Sequence, residues 1–192
     1  MFIVGVDLGQ VSDPTAIAVA EPIAQNAAIA PNIHVRQLER LPLDTPYPRV
    51  AAHLGRLVRA LPGPADLVVD NTGIGRAVTD MLREQDLAVV AVSITGGRTV
   101  RQDGDAWRVP KPELVRALAV AVENGRLKIA QRLALAPVLM DELRAFERTI
   151  GAGGHIAFEG KGAAHDDLVV AVALVAWWAG HMPAEGLDAG RR

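Results

Sequence analysis

The sequence predicts an α/β domain, a mixed five-stranded sheet flanked by helices. Three observations predict it. Short apolar runs such as Phe2–Val6 and Leu67–Val69, bounded by turn residues, read as strands buried on both faces. Three strand-like runs come first, and after them helical and strand-like spacing alternate, an order that implies antiparallel hairpins at one side of the sheet and parallel crossovers at the other. The composition is that of an ordinary globular domain: 192 residues, 50% hydrophobic and 22% charged, enough for one core and not the profile of a disordered chain.

The elements follow in order. Phe2 to Asp7 is the first strand, and Val11-Ser12-Asp13-Pro14 is turn chemistry that leads into a second strand, Thr15 to Ala20. The spacing is short enough to make these two a hairpin. Ile33 to Leu41 interleaves His34, Arg36 and Gln37 with Val35 and Leu38, the pattern of a more exposed strand. Pro46 to Ala60 sets Val50, Leu54, Leu57 and Val58 on one helical stripe, and Leu61-Pro62-Gly63-Pro64 ends it. Asp66 to Asp70 is a strand, Arg76 to Gln85 a helix and Leu87 to Ile94 the fifth strand. Thr95 to Pro110 reads as a loop with glycines and arginines. Lys111 to Glu123 is a helix closed by Asn124-Gly125, Arg126 to Ala130 a short strand, and Leu135 to Thr149 an amphipathic helix with Leu139, Leu143 and Phe146 on its stripe. Gly151 to Gly162 reads as a glycine-rich hairpin or flap, and His165 to Gly180 as a last, buried helix. Residues 1–182 are expected to form the domain, and Pro183 to Arg192 a frayed or disordered tail.

Several function classes are excluded or disfavoured. The sequence has no cysteine, so disulfides and thiolate metal sites are impossible. Leu168 to Ala179, the longest apolar stretch, is too short to span a bilayer, and the N-terminus has no basic segment of the signal-peptide kind, so a cytoplasmic protein with no membrane role is expected. The net charge of −2 counts against a broad basic surface for nucleic acid. Acidic residues reserved for metal ions soften that count, because bound cations change the local field.

Acidic residues recur at the strand and helix ends where chemistry is built. Asp7 closes the first strand, Asp70 closes the fourth, and Asp166 and Asp167 open the last helix, where carboxylates also suit the helix dipole. A lone aspartate in such a place is usually a turn or cap residue. Three or four converging from distant parts of the chain form a hard oxygen-donor cluster suited to Mg²⁺ or Mn²⁺. Two such ions roughly 3.5–4 Å apart hydrolyse a phosphodiester without a side-chain nucleophile: one activates water, the other stabilises the leaving oxygen. Asp166 and Asp167 point about 100° apart on a helix, and both share their faces with apolar residues, so the pattern does not choose the main ligand. Asp13 reads as a turn residue.

These segments resemble a known family. Val4-Gly5-Val6-Asp7-Leu8-Gly9 followed by Asp13-Pro14-Thr15-Ala16-Ile17-Ala18-Val19 looks like the opening hairpin of the C-terminal nuclease domain of viral (bacteriophage) terminase large subunits, within the RNase H-like superfamily. Val68-Val69-Asp70-Asn71-Thr72-Gly73-Ile74-Gly75 is similar to its second acidic segment, and Gly162 to Ala171, with His165-Asp166-Asp167, to its closing segment. The stretch from Lys111-Pro112-Glu113-Leu114 to Arg126-Leu127 also looks like that family, so the resemblance runs from about residue 2 to 180. It implies an RNase H-like fold and an endonuclease that cuts concatemeric viral DNA during packaging, using two Mg²⁺ or Mn²⁺ ions held by Asp7, Asp70, Asp166 and Asp167. The implied partners are double-stranded DNA and, beside it, an ATPase motor, small terminase and portal proteins, in the cytoplasm of the host cell. Terminases carry a motor ahead of this domain, and no Walker-type phosphate loop is present here, so a motor function is not expected and the chain reads as an excised domain or a standalone relative.

Other residues are weaker candidates. His165 could orient a carboxylate or assist proton transfer, or simply make a local bond at a helix start. Lys111 could offset charge at the scissile phosphate, or be a solvated helix-start lysine. Arg98, Arg101, Trp107 and Arg108 could track a DNA backbone, although Asp103 and Asp105 interrupt them. Lys161 could belong to a flap over DNA. Trp177 and Trp178 read as core, and Gly73 and Gly75 as residues that let the chain turn tightly. Three other functions fit parts of the pattern. They are an RNase H-like nuclease of the Holliday-junction resolvase kind, an ATP-binding protein of the actin and sugar-kinase type (which also uses an Asp-x-Gly such as Asp7-Leu8-Gly9), and an inactive module that binds DNA or a partner.

Overall fold

The computed structural model describes residues 1–9, 11–24, 30–151 and 166–182. The expected flap at 151–162, Lys161, His165 and the expected tail at 183–192 lie outside the described residues, apart from Gly151 itself, which ends a helix.

The strands are β1 (Phe2–Asp7), β2 (Ala16–Ile23), β3 (Asn32–Arg40), β4 (Ala65–Asp70), β5 (Val89–Thr95), β6 (Arg101–Asp103), β7 (Ala106–Pro110) and β8 (Leu127–Ile129). The helices are α1 (Tyr47–Ala60), α2 (Gly75–Arg83), α3 (Lys111–Glu123), α4 (Ala136–Gly151) and α5 (Asp167–Ala179). All eight strands form one sheet in the order β6-β7-β5-β4-β1-β2-β3-β8. β1, β2 and β3 pair antiparallel, while β1-β4-β5-β7 run parallel, so the expected division into a hairpin side and a crossover side is present.

The count of five strands is corrected to eight among the described residues. Thr95–Pro110, expected as a loop, contains the β6–β7 hairpin, with β7 extending the sheet in parallel beside β5. Its sequence hides this: Gly96-Gly97 and Asp103-Gly104 are turn residues, and the exposed Arg101-Gln102-Asp103 lacks the apolar alternation that marks a strand. The short run before α4, β8, joins the far edge parallel to β3.

Two cores lie on opposite faces of the sheet. Val4, Val6, Ile17, Val19, Leu67 and Val69 face α1 and α2. Ile3, Ala16, Ala18, Ala20 and Val68 face α5, which is flanked by α3 and α4. The strand period of two makes this partition automatic. Small residues dominate directly beneath α5. A Cβ on Gly5 would stand 2.1 Å from the Ala171 carbonyl oxygen and 2.8 Å from Val175 Cγ2, so only glycine lets the helix backbone lie this close to β1. Trp177 is buried in this layer, and Trp178 donates its indole N–H to Asp66 Oδ2 at 2.7 Å, which pins the far end of α5 to β4. No helix among the described residues is long and apolar enough to cross a membrane.

Candidate active site

The site grows from strand alternation. On β1, Ile3, Gly5 and Asp7 share the face that α5 covers, and on β4 Asp66, Val68 and Asp70 do the same. The two strands are parallel neighbours paired as far as Val6 with Val69, so one step further they end side by side on Asp7 and Asp70. Asp7 pairs with Ala16, and Ala16 with Arg40, so one row across the sheet reads Asp70, Asp7, Ala16, Arg40. α5 brings its N-terminus over this row, with Asp166 as the cap residue and Asp167 in the first turn. β7, parallel to β5, ends at the same edge and hands over at once to α3, which puts Lys111 there.

The turns flanking the aspartates are fixed locally. Gly9 donates its N–H to Thr15 Oγ1 at 3.2 Å, and the Thr15 hydroxyl donates back to the Gly9 carbonyl at 2.9 Å, closing the base of the β1–β2 loop. Asp70 Oδ1 accepts from the Thr72 N–H at 2.8 Å and its hydroxyl at 2.5 Å. Gly75 starts α2 hard against this turn: a Cβ there would meet the Asp70 carbonyl oxygen at 2.2 Å. The expectation that Gly73 and Gly75 let the chain turn tightly agrees with this geometry and with the φ of 60° at Gly73.

The two members of the acidic pair have different environments. Asp167 is buried, and both its oxygens accept from Arg40, Oδ2 from Nε at 2.7 Å and Oδ1 from Nη2 at 2.8 Å. The same Nη2 reaches Glu142 on α4, whose other oxygen accepts the Val169 N–H at 3.1 Å. Asp166 is exposed and stands 4.0 Å from Lys111 Nζ. Asp7, Asp13, Asp166 and Asp167 line one open cleft of about 350 Å³.

Electrostatically the cluster is under-compensated. Burial pushes the Asp7 carboxyl well above the usual carboxylate range, and the charges of Asp70, Asp166, Asp167 and Asp13 push it the same way. Asp70 is also raised by burial, against the opposing pull of Thr72 and Lys111. Glu142 is pushed from 4.5 up to about 7 by burial and by Asp167, with Val169 and Arg40 acting in the other direction. Burial pulls the Arg40 guanidinium down, but its bonds to Asp167 and Glu142 outweigh that and hold it above its ordinary value.

The donor set therefore suits a hard divalent cation: it is all carboxylate, and negative charge concentrates around a part-buried aspartate. Among the described residues no three acidic or imidazole side chains close on one point as a ready-made cage.

Of the sequence candidates, Asp7, Asp70, Asp166, Asp167 and Lys111 are brought to one edge of the sheet, while His165 lies outside the described residues. Asp13, expected only as a turn residue, is exposed and lines the cleft. Trp107, expected in a loop that could track a DNA backbone, lies on β7. Its ring packs edge-on against Trp177 and Trp178, at centroid distances of 5.6 and 6.3 Å, because β7 lies beside α5. Arg108 is exposed but paired with Asp103 at 3.1 Å. The sequence reading missed Arg40 and Glu142. Glu142 had a visible signal, since it falls between Leu139 and Leu143 on an otherwise apolar stripe.

No protein-family model matches the sequence, and no curated protein matches it. Solved structures do. The large terminase nuclease from the thermophilic phage G20c aligns over 91% of this chain and 80% of its own, with a TM-score of 0.60 and 21% identity. The same nuclease with bound zinc aligns over 91% and 78%, with a TM-score of 0.58 and 22% identity. RuvC from Thermus thermophilus aligns over 94% and 96% at a TM-score of 0.46 and 13% identity, too distant to bear on function. In fold, the chain is similar to the large terminase nuclease of phage G20c.

Proposed function

We propose that this domain is a metal-dependent endonuclease of the terminase type, hydrolysing phosphodiester bonds of double-stranded DNA with two Mg²⁺ or Mn²⁺ ions. The observation that carries the proposal is the place of Asp7: a part-buried carboxylate lining the cleft, raised well above its usual range, beside other carboxylates supplied by β4, the β1–β2 loop and α5. A protein gains no stability from such a cluster, and perturbed acids in a cleft mark functional sites. The likeness in fold to a nuclease that is known with a bound divalent metal supports the same reading.

In this reading Asp7, Asp70, Asp166 and Asp167 hold the ions. A divalent ion bound there supplies an acidified water and neutralises charge on the phosphate oxygens. Lys111, beside Asp166, offsets charge that builds on the scissile phosphate. His165 remains a candidate on its place in the sequence, next to the pair. A second cleft of about 470 Å³ adjoins Asp70, with Asn71, Arg76, Arg83 and Arg108 in its walls beside Asp103 and Asp105. Guanidinium groups there supply the cations that a phosphate backbone needs, although the chain as a whole is slightly acidic. Cutting of concatemers during packaging, in company with a motor and a portal, is the biological setting this function implies.

The test is nicking and linearisation of a supercoiled plasmid with Mn²⁺, Mg²⁺ or EDTA. The proposal expects cutting with either ion, none in EDTA, and loss of cutting in Asp70→Ala. Preference for a four-way junction over linear duplex would replace the terminase reading with a resolvase. A folded protein inert with every ion would leave an inactive binding module.

A further inference from the structure

Arg40 is in the site by register as well as by contact. It stands two strands from Asp7 in the same row across the sheet, and Ala16 between them is too small to block it. Its guanidinium takes both oxygens of Asp167 in the bidentate fork that arginine makes with carboxylates. Glu142 accepts from the same Nη2 with one oxygen, and with the other accepts the Val169 N–H in the first turn of α5. A strand, two helices and the side chains of Arg40 and Glu142 thus hold one carboxylate of the acidic pair and leave the other, Asp166, exposed beside Lys111.

We infer that Arg40, anchored by Glu142, is a positioning residue that clamps Asp167 and competes with the divalent ion for its carboxylate. The inference rests on the metal-dependent reading above. While the clamp is closed, Asp167 faces a cation that the protein already supplies, so Asp166 is the more available ligand of the pair. The clamp holds metal affinity below what the carboxylates alone would give, and in exchange fixes where Asp167 stands when an ion is bound.

The consequence has an unusual sign. Damage to a merely structural residue weakens metal binding or leaves it alone. Removal of a competing cation strengthens binding, while the loss of fixed geometry slows cutting. Mn²⁺ binding to the full chain, followed by the electron paramagnetic resonance of free Mn²⁺, reads the first effect, and single-turnover plasmid cleavage at saturating Mn²⁺ reads the second. Arg40→Gln is expected to bind Mn²⁺ about tenfold more tightly, the scale of one charge-assisted hydrogen bond lost by the competitor, and to cut at least tenfold more slowly. Arg40→Lys keeps the charge without the fork, so a smaller gain in affinity is expected; it carries the test if Arg40→Gln does not fold. Unchanged or weaker Mn²⁺ binding in the folded variant overturns the clamp and leaves the nuclease reading intact. Weaker DNA binding in EDTA with unchanged Mn²⁺ affinity makes Arg40 a phosphate contact instead, and also overturns it. A folded wild type that binds no Mn²⁺ overturns the metal reading and the clamp together.

Discussion

The sheet carries helices on both faces, and α1 and α5 differ in almost every physical respect. α1 is amphipathic: Val50, Ala51, Leu54, Gly55 and Leu57 are buried, while Arg49, Arg56 and Arg59 face water. α5 is apolar nearly all round, with only Val170 and Trp178 partly exposed, and it lies largely on glycine and alanine where α1 and α2 lie on valine, isoleucine and leucine. A helix packed on branched side chains tolerates small shifts, because those side chains can repack. A helix whose backbone touches a strand backbone has no such slack. α5 is also the helix that ends on Asp166 and Asp167. The rigid contact and the chemistry thus belong to the same element, so the two faces of the sheet should respond differently to perturbation.

The largest effect is expected at Gly5. Gly5→Val pushes side-chain atoms into the Ala171 carbonyl and should cost about 3 kcal/mol or more, at the upper end of overpacking, while displacing the N-terminus of α5. Chemical denaturation measures the first effect and loss of Mn²⁺ affinity the second. Unchanged stability would mean that α5 can slide, and the contrast between the faces would disappear.

A pH effect of somewhat smaller size should come from the α5 side alone. Glu142, Asp7 and Asp70 are all raised in the folded protein, so the folded state holds their protons more tightly than the unfolded state. The stability they contribute is fully present below the unfolded carboxylate range and is lost as pH rises, for Glu142 between about 4.5 and about 7. In EDTA the melting temperature should therefore fall from pH 5 to pH 8, and Mn²⁺ should reverse the fall. A melting temperature that rises with pH in EDTA would contradict the electrostatics of the cluster.

On the α1 side the effects are those of an ordinary core. Val50→Ala removes two buried methyls and should cost about 2 kcal/mol, with Mn²⁺ affinity unchanged in the folded variant. Arg56→Ala, on the solvent face of the same helix, should change stability by less than about 0.5 kcal/mol. A change in Mn²⁺ binding from either substitution would show coupling across the sheet that the packing does not predict.

Much of this was readable from the sequence, for reasons that particular residues explain. β1 and β4 were legible because Phe2–Val6 and Leu67–Val69 are apolar runs of strand length, each ending in aspartate. The helices α1 and α3 were legible from their stripes and stop signals. β6 and β7 were not, because the edge hairpin is polar and its turn residues look like loop. The order of Asp166 and Asp167 was undecidable, since an apolar helix offers no polar face to orient it; only packing on Gly5 and contact with Arg40 settle which one is buried. Arg40 itself follows from register, and register requires knowing that β2 lies between β1 and β3.

The central claim is that the carboxylate cluster is held at a cost to stability in order to bind divalent metal, and Asp7→Asn tests it most directly. The substitution keeps the shape and removes the titratable carboxyl from among its acidic neighbours. Calorimetric titration with Mn²⁺ and a thermal melt in EDTA at pH 8 should show Mn²⁺ binding abolished and the melting temperature raised by roughly 2–4 °C, the equivalent of about 1 kcal/mol for a chain of this size. Retained Mn²⁺ binding, or a lower melting temperature, would contradict the account, because Asp7 would then be a structural residue of the fold.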